Sequence, residues 1–216
     1  MAHRIRLAMI SRFRTFNAIV LLAGLFVAAA PRSAEALPVF PRPDWSVGIA
    51  YGLSEGEFDI PDGPQLETEE GATPQIRVTR QLGAHWALGA EYEGWFVEVG
   101  NLEDKLRVSM QFFGPSLTWY PGNPANAWSG LYLRGAAGLG YTRVAVVELN
   151  EDLEQVGTTA IDDSGPGFLV GAGYEFWITR QATTGLGLSY VSLHPDGQII
   201  QSGWFTPLVV HFNVRF

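Results

Sequence analysis

Apolar and polar residues alternate along most of the chain, and eight segments show this pattern clearly. In the first, DWSVGIAYGL (44–53), Trp45, Ile49 and Leu53 share one side of an extended chain, and serine, glycine and alanine occupy the other. Side chains alternate between the two faces of a strand, so period-two spacing predicts a β-strand with two different faces. The other seven segments are 74–82, 85–97, 106–120, 129–144, 167–177, 183–193 and 207–216. The sequence therefore predicts an all-β chain of eight strands.

One face of each segment carries Leu, Val and aromatic residues, and the other carries Gly, Ala, Ser, Gln, Arg and Glu. In segment 106–120 the pattern places Leu106, Val108, Met110 and Phe112 on the apolar face and Arg107, Ser109 and Gln111 on the polar face, and Pro115 predicts a bulge or a change of face. A soluble sandwich needs inward apolar faces that meet each other. The polar faces are better suited to the inside of a narrow closed barrel whose apolar faces meet lipid. Closure also satisfies the backbone polar groups that hydrocarbon would leave unpaired.

The links between the segments alternate in length. Long, polar and acidic links follow the odd segments, at 54–73, 98–105, 145–166 and 194–203, and short links follow the even ones, near 81–84, 121–127 and 178–182. Barrels of the bacterial outer membrane have an even strand number, longer external loops and short periplasmic turns. About ten residues per strand, tilted near 40°, span an apolar band of about 25 Å. The sequence predicts an eight-stranded antiparallel up-and-down transmembrane β-barrel with four acidic external loops.

Residues 1–36 have the three parts of a secretory signal peptide. A basic segment precedes the apolar run NAIVLLAGLFVAAA (17–30), and a small-x-small cleavage site follows at 34–36. An uncleaved anchor is the alternative, but the apolar run is short for a span of roughly 20 residues. We therefore expect export through the general secretory route, cleavage after Ala36 and a barrel domain over 37–216.

Charge and composition exclude several classes of function. The chain has 14 Lys and Arg and 22 Asp and Glu. Cleavage after Ala36 removes five arginines and one glutamate, which leaves 9 basic and 21 acidic residues and a net charge of −12. Such a chain has no basic face for nucleic acid. It has no cysteine for disulfides or thiolate metal sites and no EF-hand spacing, so we expect no cofactor and no bound metal.

The glycine-interleaved segments GLYLRGAAGLGY (130–141) and GFLVGAGYEF (167–176) and the closing PLVVHFNVRF (207–216) resemble small outer-membrane barrels of the OmpA/OmpX type. The resemblance implies a monomer in the outer membrane of a Gram-negative bacterium, in contact with outer-membrane lipid and lipopolysaccharide. In that family the barrel-assembly machinery recognises alternating apolar residues that end in a C-terminal aromatic. Four residues match that signal, namely Val210, Phe212, Val214 and Phe216.

Six charged residues fall on the predicted inner faces: Arg77, Glu91, Glu93, Arg107, Arg134 and Glu175. Because an unpaired buried charge is costly, we expect them to form pairs and networks. Arg77 and Glu91 flank the turn near 81–84 and should lie roughly diagonal on neighbouring strands. An eight-stranded barrel has room inside for side chains or one small ligand, which disfavours the alternative of a narrow small-solute channel.

A second alternative is a lipid A-modifying hydrolase. Similar barrels of the lipid A deacylase type carry His-x-Ser-Asn on a late strand and an acid downstream. Here YVSLHPDG (190–197) has Ser192 and His194 in the reverse order, no Asn, and Asp196 as the nearest acid. A triad also requires an orienting acid and an oxyanion hole. The sequence therefore favours a structural or surface-interaction role through the external loops.

Overall fold

The computed structural model describes residues 44–59, 69–100, 104–122, 127–149, 155–197 and 202–216. The strands are β1 (Trp45–Asp59), β2 (Glu69–Gln81), β3 (Trp86–Gly100), β4 (Asp104–Trp119), β5 (Leu131–Leu149), β6 (Gln155–Trp177), β7 (Ala182–Leu193) and β8 (Ser202–Arg215), with a 3-10 helix over Ala127–Gly130. No helix in these ranges is long and apolar enough to cross a membrane. The predicted signal peptide lies outside the described residues.

The eight strands form one closed antiparallel barrel in chain order. Closure is made by β1 and β8, which pair from Ser46 opposite Arg215 to Asp59 opposite Ser202. At the end of this seam the backbones of Trp45 and Phe216 exchange two hydrogen bonds, of 3.1 and 3.0 Å. The alternating C-terminal segment is therefore a paired strand, and the predicted up-and-down barrel is confirmed.

The strand registers define how steeply the strands tilt. A path of paired residues from Ser46 around all eight strands passes through Thr79, Gly89, Ser116, Ala136, Leu169, Val191 and Phe205 and returns to β1 at Gly56. The return point lies ten residues beyond the start, so the barrel has a shear number of ten. Eight strands with this shear tilt by about 40° and leave an interior that side chains fill.

The predicted faces are correct for seven strands and wrong for the first half of β4. Val108, Met110 and Phe112 point inward and are at most 3% exposed, whereas Arg107 and Gln111 lie on the outward side. Pro115 causes neither a register shift against β3 nor a change of face. The physical reason is that this part of the interior is an apolar core, so the apolar side of β4 faces inward.

The interior has two layers, which differ in polarity. We call the end where β1, β3, β5 and β7 finish the loop end, and the opposite end the turn end. The loop-end half is filled by the apolar cluster, whose buried members are Phe58, Trp95, Val108, Met110, Phe112, Leu169, Val191, Leu193 and Phe205. A Cβ at Gly56 would lie 2.8 Å from the Trp95 ring, which shows how tightly this layer is packed. Among the described residues, the buried charged side chains that the sequence predicts lie in the turn-end half, and the loop-end half has only a few buried hydroxyl groups, such as that of Thr142.

The strands are longer and the loop-end links shorter than predicted. These links comprise 60–68, 101–103, 150–154 and 194–201. Most of the predicted loop 145–166 is strand, with Asp162 and Asp163 in β6. The predicted alternation of link lengths is not observed, because only three residues separate β3 from β4 at the loop end, whereas eleven (120–130) separate β4 from β5 at the turn end. Strand pairing depends on backbone hydrogen bonds, so β5 and β6 continue beyond the positions where their outward side chains become polar.

Candidate functional site: the buried charge cluster

Six charged side chains meet in the turn-end half of the interior. They come from five strands and are Arg77 of β2, Glu91 and Glu93 of β3, Arg134 of β5, Glu175 of β6 and Arg215 of β8. All are at most 6% exposed. Three guanidinium groups balance three carboxylates, so the cluster is electrically neutral as a whole.

Arg134 organises one half of the cluster. Its Nη1 donates to Oε2 of Glu91 at 2.9 Å, and its Nη2 donates to Oε2 of Glu93 at 3.1 Å. Glu93 also accepts hydrogen bonds from the Ser189 hydroxyl, at 2.6 Å, and from the Gln75 amide, at 2.8 Å. These contacts tie together β2, β3, β5 and β7 through one carboxylate.

Glu175 organises the other half. Its Oε1 accepts hydrogen bonds from Nη2 of Arg77 at 3.1 Å and from the Asn213 amide at 3.3 Å, and its Oε2 pairs with Arg215. The Arg215 guanidinium lies 4.4 Å from the centre of the Trp177 ring, at the turn end of β6. A cation over an indole face is attracted by the ring, so Trp177 helps to hold this pair in place.

Tyr132 packs against the half of the cluster that Glu175 organises. The Arg77 guanidinium lies 5.3 Å from the centre of the Tyr132 ring, and the His211 ring meets that ring edge-on with 5.8 Å between centres. Glycines on β6 and β7 leave room for these side chains, because a Cβ at Gly187 would lie 2.7 Å from the Tyr132 hydroxyl. The glycine-interleaved segments of the sequence therefore accommodate large polar side chains from other strands.

Substitution of Gly185 by alanine is expected to destabilise the barrel by roughly 1–3 kcal/mol, the usual cost of forcing extra volume into a packed interior. The new Cβ would lie 2.6 Å from Nε2 of His211 and closer still to the carbonyl oxygen of Tyr174. Gly135→Ala is the control, because an outward Cβ there meets no atom nearer than 3.8 Å. Urea titrations of barrels refolded in lipid vesicles measure the difference, and equal stability of the two variants would contradict the packing described.

Five of the six sequence-predicted residues meet in this cluster, and Arg107 does not. Arg107 lies outside, where its Nε donates to Glu98 at 3.0 Å and more than half of its side chain is exposed. Arg77 stands directly opposite Glu91 in the β2–β3 register rather than diagonal to it, and it pairs with Glu175 across the interior. The assignment of Arg107 to the interior was wrong because the face of β4 was inverted.

Sequence reasoning missed one member of the cluster and three of its neutral hydrogen-bond partners, namely Arg215 and Gln75, Ser189 and Asn213. All four occupy inward positions of strands whose faces were predicted correctly, so the alternation was sufficient to place them in the interior. Selecting charged residues left out the three neutral hydrogen-bond partners, and Arg215 was omitted although it is charged and points inward. Arg215 stands on the polar side of the last segment, and its pairing with Glu175 joins strands distant in sequence.

The candidate hydrolase residues are not assembled into a triad. Ser192 is on the outward face of β7, His194 follows that strand with its ring 6.3 Å from the Phe168 ring, and Asp196 is exposed. Within the described ranges, no hydrogen bond joins any two of Ser192, His194 and Asp196. The same ranges contain no group of three or more His, Cys, Asp or Glu residues placed to hold a metal ion.

The predicted assembly signal lies on one face of β8 and continues to Phe216, directly after the strand. Val210, Phe212, Val214 and Phe216 are all exposed on the outside of the barrel. The inward positions between them include His211, which is buried. The last strand therefore presents an apolar outer stripe to its surroundings.

Comparison with known proteins supports the fold at low sequence identity. No family model matches the chain, and no curated protein matches it either. Neisserial surface protein A, from Neisseria, has 14% identity and a TM-score of 0.54, with 82% of this chain and 99% of that chain covered. Ail, the attachment invasion locus protein of Yersinia pestis in complex with the heparin analogue sucrose octasulfate, has 11% identity and a TM-score of 0.51, with 78% and 99% covered. The chain therefore has the fold of the small eight-stranded outer-membrane β-barrels, as its resemblance to the OmpA/OmpX type predicts.

Proposed function

We propose that this chain is an outer-membrane protein of a Gram-negative bacterium whose rigid, closed barrel holds its loop-end links at the cell surface for contacts with other molecules. The observation that carries the proposal is an inverted polarity. Apolar side chains cover the outside of the barrel, and charged side chains are buried inside it.

The outward apolar side chains form a belt around all eight strands. One strongly exposed member from each of five strands illustrates it: Leu53 (65%), Ile76 (50%), Leu139 (68%), Val170 (60%) and Val210 (60%). Soluble monomers rarely expose contiguous apolar patches above a few hundred Å². A lipid bilayer covers such a belt, and the closed backbone ladder leaves no edge within it.

Polar and aromatic side chains mark the two limits of the belt. Toward the loop end, outward ion pairs follow the apolar residues, with Arg143 Nε 3.5 Å from Asp162 Oδ1 on β5 and β6. At the turn end, the rings of Trp86 and Trp119 lie 6.1 Å apart on neighbouring strands. Aromatic residues concentrate at membrane–water interfaces, which supports a bilayer between these limits.

A filled interior supports a passive role rather than transport. The apolar cluster occupies the loop-end half and the buried charge cluster the turn-end half, so the described side chains fill the interior from both ends. Function then depends on what the barrel presents outside, and binding residues are often found on loops that a rigid scaffold positions. Ail is named for attachment and invasion and was solved with a heparin analogue, and Neisserial surface protein A is named for the surface, which supports a surface-interaction role.

The proposal includes the route to the membrane. The segment 1–36 directs secretion and is removed, and the stripe of Val210, Phe212, Val214 and Phe216 guides assembly by the barrel-assembly machinery. The mature barrel is a monomer embedded in outer-membrane lipid and lipopolysaccharide. The net charge of −12 that remains after cleavage repels anionic partners in solution.

Epitope tags test both location and orientation. A tag inserted into the link 150–154 is expected to be labelled by antibody on intact cells, because this link joins β5 and β6 at the loop end. A tag inserted into 123–126, between β4 and β5 at the turn end, is expected to be labelled only after the outer membrane is permeabilised. Labelling of both tags on intact cells, or recovery of the protein in the soluble fraction, would contradict the proposal.

A further inference from the structure

Four buried polar atoms beside the Arg134 pairs have no partner within the described part of the chain. They are Oε1 of Glu91, Oγ of Ser116, Oγ1 of Thr118 and Nε of Arg134. Each belongs to a residue that is at most 5% exposed. A buried polar group without a hydrogen bond costs about 1–3 kcal/mol, so four of them in one place require a physical explanation.

The strand registers bring these four residues together. Thr118 lies directly opposite Arg134 on the neighbouring strand β5, and Ser116 is the next inward residue of β4 toward the loop end. Ser116 is opposite Gly89 of β3, and Glu91 is the next inward residue beyond Gly89. Arg134 on β5 pairs with Glu91 on β3, and β4, the strand between them, carries Ser116 and Thr118 on its inward side.

The charges on these atoms select a neutral ligand. The Arg134 guanidinium repels a metal cation, and the free oxygen of Glu91 repels an anion. The Nε–H of Arg134 is a donor, the Glu91 oxygen is an acceptor, and both hydroxyl groups donate and accept. Water both donates and accepts, and a buried water typically makes about three hydrogen bonds to groups that otherwise lack partners.

We propose that Glu91, Ser116, Thr118 and Arg134 form a buried hydration site that holds at least one ordered water molecule inside the barrel. The site goes beyond the proposed surface role and depends only on the interior of the barrel. Toward the loop end the interior is mostly apolar, and the Trp95 indole and the Thr142 hydroxyl already donate to backbone carbonyl groups, so we place the water in the turn-end half. The bound water completes the hydrogen bonding of Arg134 and Glu91, which connects β4 to the charge cluster.

Oxygen-17 relaxation dispersion of water, which counts long-lived internal waters, tests this site in the refolded barrel. The double variant Ser116→Ala, Thr118→Val is expected to lose at least one long-lived water relative to the unaltered protein. Thr142→Val is the control, because the buried Thr142 hydroxyl donates to the Asp163 backbone carbonyl at 3.2 Å, so its removal leaves no side-chain group without a partner, and the water count should not change. An equal count in the double variant and the unaltered protein would overturn the proposal.

A crystal structure of the unaltered barrel gives a second readout that does not depend on folding of the double variant. Ordered water within hydrogen-bonding distance of at least two of the four atoms is the expected result. A dry site in a map that resolves water elsewhere in the interior would overturn the proposal equally.

Discussion

Replacement of Arg134 by methionine is expected to lower the free energy of unfolding by about 3–5 kcal/mol, the usual cost of removing one partner from a buried ion pair. Methionine has similar length but no charge, so Glu91 and Glu93 would lose the cation that lies 2.9 and 3.1 Å from their oxygens. Both carboxylates are at most 1% exposed, and a neutral water molecule beside them would not supply the positive charge that they lose. Urea titration in lipid vesicles, followed by tryptophan fluorescence, measures the loss.

Arg143→Met is the matched control for this prediction. Arg143 is on the same strand as Arg134 and also pairs with a carboxylate, but its side chain and that of Asp162 are each more than 40% exposed. Exposed ion pairs contribute about 0–1 kcal/mol, so this variant should unfold almost like the unaltered protein. Similar losses of unfolding free energy in the two arginine variants would show that burial does not determine how much an ion pair of this barrel contributes to stability.

Val170→Arg is expected to destabilise the membrane-inserted barrel by about 2–4 kcal/mol, the cost reported for a cation near the centre of the lipid-facing surface. Val170 is 60% exposed on the outward face of β6, within the apolar belt. The same substitution on a surface that faces water would change stability by only about 0.5 kcal/mol. A loss of about 2–4 kcal/mol would therefore indicate lipid around Val170, and a loss of about 0.5 kcal/mol would indicate water.

Ser164→Arg provides the comparison on the same face of the same strand. Ser164 is exposed three outward positions closer to the loop end, next to the outward Asp162. A cation beyond the apolar belt costs little, about 0–1 kcal/mol. Equal effects of the two substitutions, measured by the same titration in vesicles, would argue against a bilayer around Val170.

Particular residues show where sequence reasoning succeeds for this protein. Ile49, Tyr51 and Leu53 alternate with small residues on β1 and face outward as the pattern predicts. The pattern of β4 fails because Met110 and Phe112 are as apolar as the outward residues of other strands yet belong to the interior. Alternation shows that a strand has two faces, but it does not identify the inward one. In β4 the polar face, which carries Arg107 and Gln111, lies outward because the interior at that level is apolar.

The sequence alone determined the number of strands, the apolar outer face of most of them and the presence of charged residues on the inner faces. These properties follow from local spacing, because neighbouring side chains of a strand point to opposite sides. Only the tertiary structure decided the shear number, the apolar cluster in the loop-end half and which charges meet. Arg77 and Glu175, for example, pair although they are 98 positions apart in sequence. Those features depend on the registers of all eight strands together, since closure of the barrel brings distant strands face to face across the interior.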